Sequence, residues 1–129
     1  MAGIFQGLVG TYSSKVYDEF GPDSTLMDIS QKMKELKYRH MPIIENDEFV
    51  GIITDRDLKL IAGMQRLDEL FSKDIMRRDL YIVDGKTSLS EVLGVMIEKK
   101  LESTLVKENG GLYIFTTTDA MKVLKSIMD

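Results

Sequence analysis

The spacing of apolar residues along the chain changes rhythm several times, and the changes repeat. Leu26, Ile29, Met33 and Leu36 follow at intervals of 3, 4 and 3, which predicts one buried face of a helix. The turn signal Gly21-Pro22-Asp23 precedes it, and Ser24 or Thr25 is placed to cap it. Met41-Pro42-Ile43-Ile44 reads as a strand with proline near its start. The polar tetrad 45–48 makes a turn, and the near-continuous apolar run 49–53 predicts a strand buried on both faces. From Thr54 a second helix carries Leu58, Leu60 and Ile61 toward Gly63. The order then returns. Residues 67–71 read as a short helical link and 80–83 as extended chain, with a turn at Asp84-Gly85. Thr87 or Ser88 caps a helix bearing Leu89, Val92, Leu93, Met96 and Ile97. Strands at 104–106 and 112–115 flank the tight turn Asn109-Gly110-Gly111, and a last helix fills 117–128. Ahead of all this, residues 1–15 are a glycine- and serine-bearing lead-in with a short helix or turn near Tyr12, and 15–20 reads as extended.

The repetition is visible in the residues themselves. Gly51-Ile52-Ile53-Thr54-Asp55-Arg56-Asp57 has a partner in Tyr113-Ile114-Phe115-Thr116-Thr117-Thr118-Asp119. The two threonines and the two final aspartates are each 62 residues apart, whereas Met33 and Met96 are 63 apart, so the second hairpin turn is expected to be one residue shorter. The fold class is α+β: two β-α-β-β-α units, at 1–66 with the lead-in and at 67–129. A unit of about 60 residues has a marginal core, so two copies should pack together.

Composition narrows the function classes. With 43% apolar and 29% charged residues the balance is that of a soluble globular protein. The net charge of -4 and the pI near 5.1 argue against a nucleic-acid surface. There are no cysteines, hence no disulfide and no thiolate metal site, which fits a reducing, cytoplasmic setting. His40 is the sole histidine, so no multi-histidine metal centre is expected. The N-terminal residues lack the pattern of a signal peptide, and no apolar run of about 18 residues predicts a membrane span. Nine methionines and no tryptophan suit adaptable apolar contacts, in a core or against a partner.

The order, spacing and duplication of Arg39-His40-Met41-Pro42-Ile43-Ile44, Gly51 to Leu58 and Ile114 to Ala120 resemble a tandem pair of cystathionine β-synthase (CBS) domains, a Bateman module. The resemblance covers nearly the whole chain, from Lys15 to Met128. It implies two repeats packed through their sheets about a pseudo-two-fold axis, with two clefts between them that bind adenosine-containing ligands. It also implies a homodimer formed by the helices after the two threonine–aspartate segments.

The chemistry of those segments can be argued independently. Thr54 and Thr116 stand where a buried strand meets a helix N-terminus, whose unpaired N–H groups and partial positive charge suit a phosphate. Asp57 and Asp119, three residues on, can accept hydrogen bonds from two adjacent hydroxyls such as those of ribose. The competing reading is purely structural, because Thr-x-x-Asp ahead of a helix is also a capping box. By the family's arrangement, Asp119 would face Arg39 and His40, able to hold a phosphate, while Asp57 would face Glu102 and Ser103. The expected phosphate site thus comprises Thr116, Asp119, Arg39, His40, Tyr81, Val83 and Tyr113. The second site, empty or taking a less charged adenosine compound, comprises Thr54, Asp57, Val16 and Ser103. The extended stretches 15–20 and 80–83 would hold adenine. Tyr113 stands where the first copy has Gly51, and would narrow its cleft or stack on a base.

Leu58, Ile61, Met64, Met121, Leu124, Ile127 and Met128 fit either an intramolecular core or a dimer face. The leading function is a non-enzymatic sensor of AMP, ADP, ATP or S-adenosylmethionine, with Mg2+ as an accompanying ion and an effector protein as output. The alternative is a ligand-free dimerisation and interaction module. No Walker-type loop and no nucleophilic cysteine support an enzyme. Paired acids such as Asp55 and Asp57 could hold Mg2+, but adjacent helix acids are ordinarily solvated.

Overall fold

The computed structural model describes residues 7–17 and 19–129. Residues 1–6 of the lead-in, and Asp18 within the extended stretch 15–20, lie outside them. The elements run α1 (Val9–Tyr12), β1 (Ser14–Lys15), α2 (Leu26–Leu36), β2 (His40–Glu45), β3 (Glu48–Thr54) and α3 (Asp55–Ala62). A 3-10 turn at Leu67–Glu69 follows, then α4 (Ser72–Ile75), β4 (Ile82–Asp84), α5 (Leu89–Lys99), β5 (Ser103–Glu108), β6 (Gly111–Thr116) and α6 (Thr117–Met128).

The helices begin where hydroxyl caps were expected. Thr25 accepts from the Asp28 N–H at 3.2 Å and Ser88 from the Glu91 N–H at 3.1 Å. Both helices end on a lysine in the left-handed region, Lys37 (φ 59) and Lys100 (φ 56). The four-residue helix α4 was not expected, because one turn carries no readable period.

The chain forms two compact units, one of residues 7–17 and 81–129, the other of residues 19–80. This division differs from the sequence repeats at 1–66 and 67–129, and strand pairing is the reason. In the first unit, β1 pairs antiparallel with β6 (Ser14 opposite Ile114), giving the sheet order β1-β6-β5-β4 with β4 parallel to β5. In the second unit, β2 and β3 pair antiparallel, Arg77 bridges Ile52 antiparallel, and Phe20 bridges Ile43 in parallel. Position 77 therefore plays in one unit the part that position 14 plays in the other. Each lead segment completes the sheet of the repeat it does not belong to in sequence.

The expected one-residue difference between the hairpins is real but lies elsewhere. Both turns have two central residues with positive φ, Asn46 (52) and Asp47 (60) in one, Asn109 (50) and Gly110 (78) in the other. These are the left-handed pairs that match strand twist. The extra residue is a β-bulge in β3: Ile43 pairs with Gly51 and Ile44 with Phe49, leaving Val50 without a partner in the ladder.

Two cores result. In the 19–80 unit Leu26, Ile29 and Met33 pack with Met41, Ile43, Ile53, Leu58 and Met76. In the other, Val9, Leu89, Val92, Met96, Val106 and Phe115 pack together. One cross-strand pair exchanges size between them: Met41 stands opposite Ile53, and Thr104 opposite Phe115. The larger aromatic is matched by the smaller threonine, as a close-packed core requires. Thr104 is 1% exposed, and its hydroxyl has no hydrogen-bond partner among the described residues. A buried, unpaired hydroxyl costs about 1–3 kcal/mol. Thr104→Val keeps the shape and removes that cost, so urea denaturation should show a gain of about 1 kcal/mol; a loss of stability would mean that the hydroxyl is satisfied.

Gly51 and Tyr113 are a similar exchange. A Cβ on Gly51 would lie 2.7 Å from the Met76 Cγ and 2.9 Å from its Cβ, so Met76 fills the space above the glycine. Position 76 corresponds to Ser13 in the other unit, where the large residue is Tyr113 on the strand instead. The Tyr113 ring lies over Gly111, within 2.9 Å of where a Cβ on that glycine would sit.

Candidate functional site

Each hairpin delivers its second strand into a helix, and the two junctions share a backbone plan. Thr54 and Thr116 are extended N-cap residues, and each hydroxyl accepts the N–H of the aspartate three residues on, at 3.2 Å from Asp57 and 3.3 Å from Asp119. The first helical N–H of each is taken by the preceding strand's lead: Asp55 donates to the Arg39 carbonyl and Thr117 to the Glu102 carbonyl, both at 3.0 Å. His40 stands directly opposite Thr54 on the sheet, and Ser103 opposite Thr116. Each helix N-terminus, with its partial positive charge, is thus framed by a threonine, an aspartate and the residues leading into the neighbouring strand.

The aspartates are used differently. Asp119 is 8% exposed and closes a full capping box: its Oδ2 accepts from the Thr116 N–H at 2.9 Å and from the Thr116 hydroxyl at 3.1 Å. Among the described residues its Oδ1 has one long contact, 3.4 Å, from the Ser14 hydroxyl. Asp57 forms no such box. Its oxygens are held in a bidentate pair by Arg77, Nε to Oδ2 at 3.2 Å and Nη2 to Oδ1 at 3.0 Å. Burial alone would raise the Asp57 carboxyl, but hydrogen bonds from Arg77 and Thr54 and the guanidinium charge outweigh it and hold it below the ordinary carboxylate range. Asp57 in turn holds Arg77 above its usual value.

Ser14 and Arg77 occupy equivalent places, on the strand segment beside the helix-leading strand of each sheet. A complete capping box therefore closes at Thr116, whereas at Thr54 the hydroxyl caps the helix and Arg77 pairs with the aspartate. Arg77 escaped the sequence reading because it is joined to Asp57 by sheet pairing and not by local spacing. Extending the repeat upstream at an offset of 63 would have aligned it with Ser14 and exposed the difference.

The other expected residues sort by unit. Arg39 and His40 lie with Thr54, Asp57 and Arg77 in the 19–80 unit. Val16, Tyr81, Val83, Ser103 and Tyr113 lie with Thr116 and Asp119 in the other. Val16 donates its N–H to the Leu112 carbonyl at 3.0 Å, beside β6. Tyr81 accepts the Leu105 N–H on its carbonyl and, with Val83 and Tyr113, packs half-buried against the core. Burial and the Glu91 charge push the Tyr81 phenol up. Among the described residues no cluster of three or more His, Asp or Glu could hold a metal ion, and no helix is long and apolar enough to cross a membrane.

The helices that follow the junctions carry apolar residues that their own units leave uncovered. Leu58 is buried, and Ile61 and Ile127 are half-buried. Leu60, Met64, Met121, Leu124 and Met128 are 56–78% exposed, so for them an intramolecular core does not account for the pattern.

The sequence profile of the CBS domain matches residues 12–61 and again 72–126. An uncharacterised protein of Methanopyrus kandleri is 33% identical over 107 residues, which are 79% of this chain and 55% of that protein. The chain thus spans about half the length of this curated relative. Among solved structures, a CBS domain pair in complex with 5'-methylthioadenosine and S-adenosyl-L-methionine superimposes with a TM-score of 0.81 at 19% identity, covering 93% of this chain and 97% of that one. CBSX2 in complex with AMP gives a TM-score of 0.78 at 21% identity, covering 95% and 98%.

Proposed function

The chain belongs to the CBS-domain family, with two CBS repeats, and from that premise we propose that it is a non-enzymatic sensor of an adenosine-containing ligand. The observation that carries this reading is the duplicated junction itself: a threonine-capped helix N-terminus with an aspartate one turn in, built twice. The Asp119 Oδ1, with one long contact among the described residues, is the acceptor offered to a ribose hydroxyl. The helix end favours negative charge nearby. Arg39, His40, Tyr81, Val83, Tyr113, Val16 and Ser103 are proposed to complete the contacts, and Mg2+ to accompany a polyphosphate. The ligand acts by preferring one arrangement of the protein over another, which is the only way binding can shift a conformational equilibrium.

The exposed apolar positions Leu60, Met64, Met121, Leu124 and Met128 support assembly with a second copy through these helices. The complete capping box at Thr116 supports the second reading, a dimerisation module without ligand. Thermal melts with AMP, ADP, ATP and S-adenosylmethionine separate the two. A ligand at 100 times its Kd stabilises by about 2.7 kcal/mol, so one of the four should raise the melting temperature in proportion to the logarithm of its concentration. No shift with any of them would favour the ligand-free module. Native mass spectrometry of the purified protein would report the oligomeric state and any retained nucleotide together.

A further inference from the structure

Beside the aspartate, the two junctions differ in the residue on the added strand segment, Arg77 against Ser14. Resting on the reading of these junctions as adenosine sites, we propose that Arg77 determines the specificity of the Thr54–Asp57 end: it rests on Asp57 in the free protein and transfers to a ligand phosphate when the ribose hydroxyls take the carboxylate.

Three observations support the exchange. The guanidinium already presents a bidentate edge to an anion, with contacts of 3.0 and 3.2 Å, and the same edge fits a phosphate. Arg77 is 62% exposed, so its pair with Asp57 is a partly solvated one. Breaking such a pair reduces ligand affinity by no more than about fivefold. A charge-assisted, bidentate phosphate contact raises it by about tenfold or more, so the exchange is favourable for a phosphorylated ligand and slightly unfavourable for a bare nucleoside. Finally, Asp57 does not close the capping box that Asp119 makes, and both of its oxygens are paired with the exposed Arg77 guanidinium.

At the Thr116 end the equivalent hydroxyl of Ser14 carries no charge, and the residue preceding the neighbouring strand is Glu102 where the other unit has Arg39. That end therefore prefers an adenosine compound without a phosphate. The proposal reverses the assignment expected from the sequence, which placed the phosphate beside Asp119 and counted no cation beside Asp57.

The test is an amide NMR titration of the intact protein with AMP and with adenosine, following residues 54–57 and 116–119 separately, for wild type, Arg77→Ser and Arg77→Lys. AMP is expected to bind the Thr54 end more tightly than adenosine in wild type. Arg77→Ser should weaken AMP there by about tenfold or more, while adenosine changes by less than about fivefold and toward tighter binding. Arg77→Lys should retain part of the AMP preference, because a lysine supplies charge without the bidentate edge. Raised ionic strength should shrink the difference between AMP and adenosine. Equal changes for both ligands would make Arg77 a mere obstacle over Asp57 and overturn the proposal. So would AMP binding only at the Thr116 end. If neither ligand perturbs either junction, the adenosine-site reading falls and the role of Arg77 with it. An unchanged melting temperature for both variants would show that the comparison is made on folded protein.

Discussion

Asp119→Ala is expected to weaken an adenosine ligand at the Thr116 junction by about 10- to 150-fold, the equivalent of about 1.5–3 kcal/mol for a hydrogen bond to a charged group. The carboxylate has two tasks there, and they sit on different oxygens. Oδ2 closes the capping box, and among the described residues Oδ1 has the 3.4 Å contact from Ser14 alone. Alanine removes both, so helix α6 also loses its acid cap at a cost of about 0.5–2 kcal/mol. Asp119→Asn separates the tasks. Its amide oxygen can still accept the Thr116 N–H, but the negative charge toward the ligand is gone. Asparagine should therefore melt close to wild type and still bind adenosine about tenfold more weakly. Isothermal titration with adenosine alongside a thermal melt reads both quantities. Wild-type affinity at this junction in Asp119→Ala would leave the aspartate as a cap and nothing more.

The largest loss of stability is expected from Phe115→Ala, about 3–5 kcal/mol. Phe115 is fully buried among Val9, Leu89, Val92, Met96 and Val106. Its neighbour across the sheet is Thr104, a small residue that cannot fill the space a missing ring would leave. In the other unit the same position is Ile53, opposite Met41, whose long flexible side chain can partly close such a gap. A domain of this size has about 5–15 kcal/mol in total, so the substitution would consume a large share of it. Urea denaturation should show a lower midpoint with an unchanged slope. A loss below about 1 kcal/mol would mean that the core around Phe115 collapses to fill the cavity.

The helices were legible because their apolar residues recur at helical spacing and their hydroxyl caps stand just ahead. Thr25, Ser88, Thr54 and Thr116 all cap as expected. The hairpins were legible from apolar runs around Asn46-Asp47 and Asn109-Gly110. The one-residue offset between the repeats was visible, but its location was not. A bulge at Val50 and a longer turn leave the same trace in a linear alignment, and only the ladder register tells them apart. Helix α4, four residues long, offered no period to read.

The amino-acid sequence by itself determined that this is a duplicated β-α-β-β-α chain with a threonine–aspartate junction in each copy, because those features are local and recur at a constant offset. The tertiary structure alone decided that the lead segments cross to the other repeat's sheet, putting Ser14 beside Asp119 and Arg77 beside Asp57. Sheet pairing joins residues far apart in the chain, and no local pattern encodes which segment will fill an open strand edge. The two junctions that read as copies are consequently different in charge: one acid is committed to its own helix cap, the other to a guanidinium.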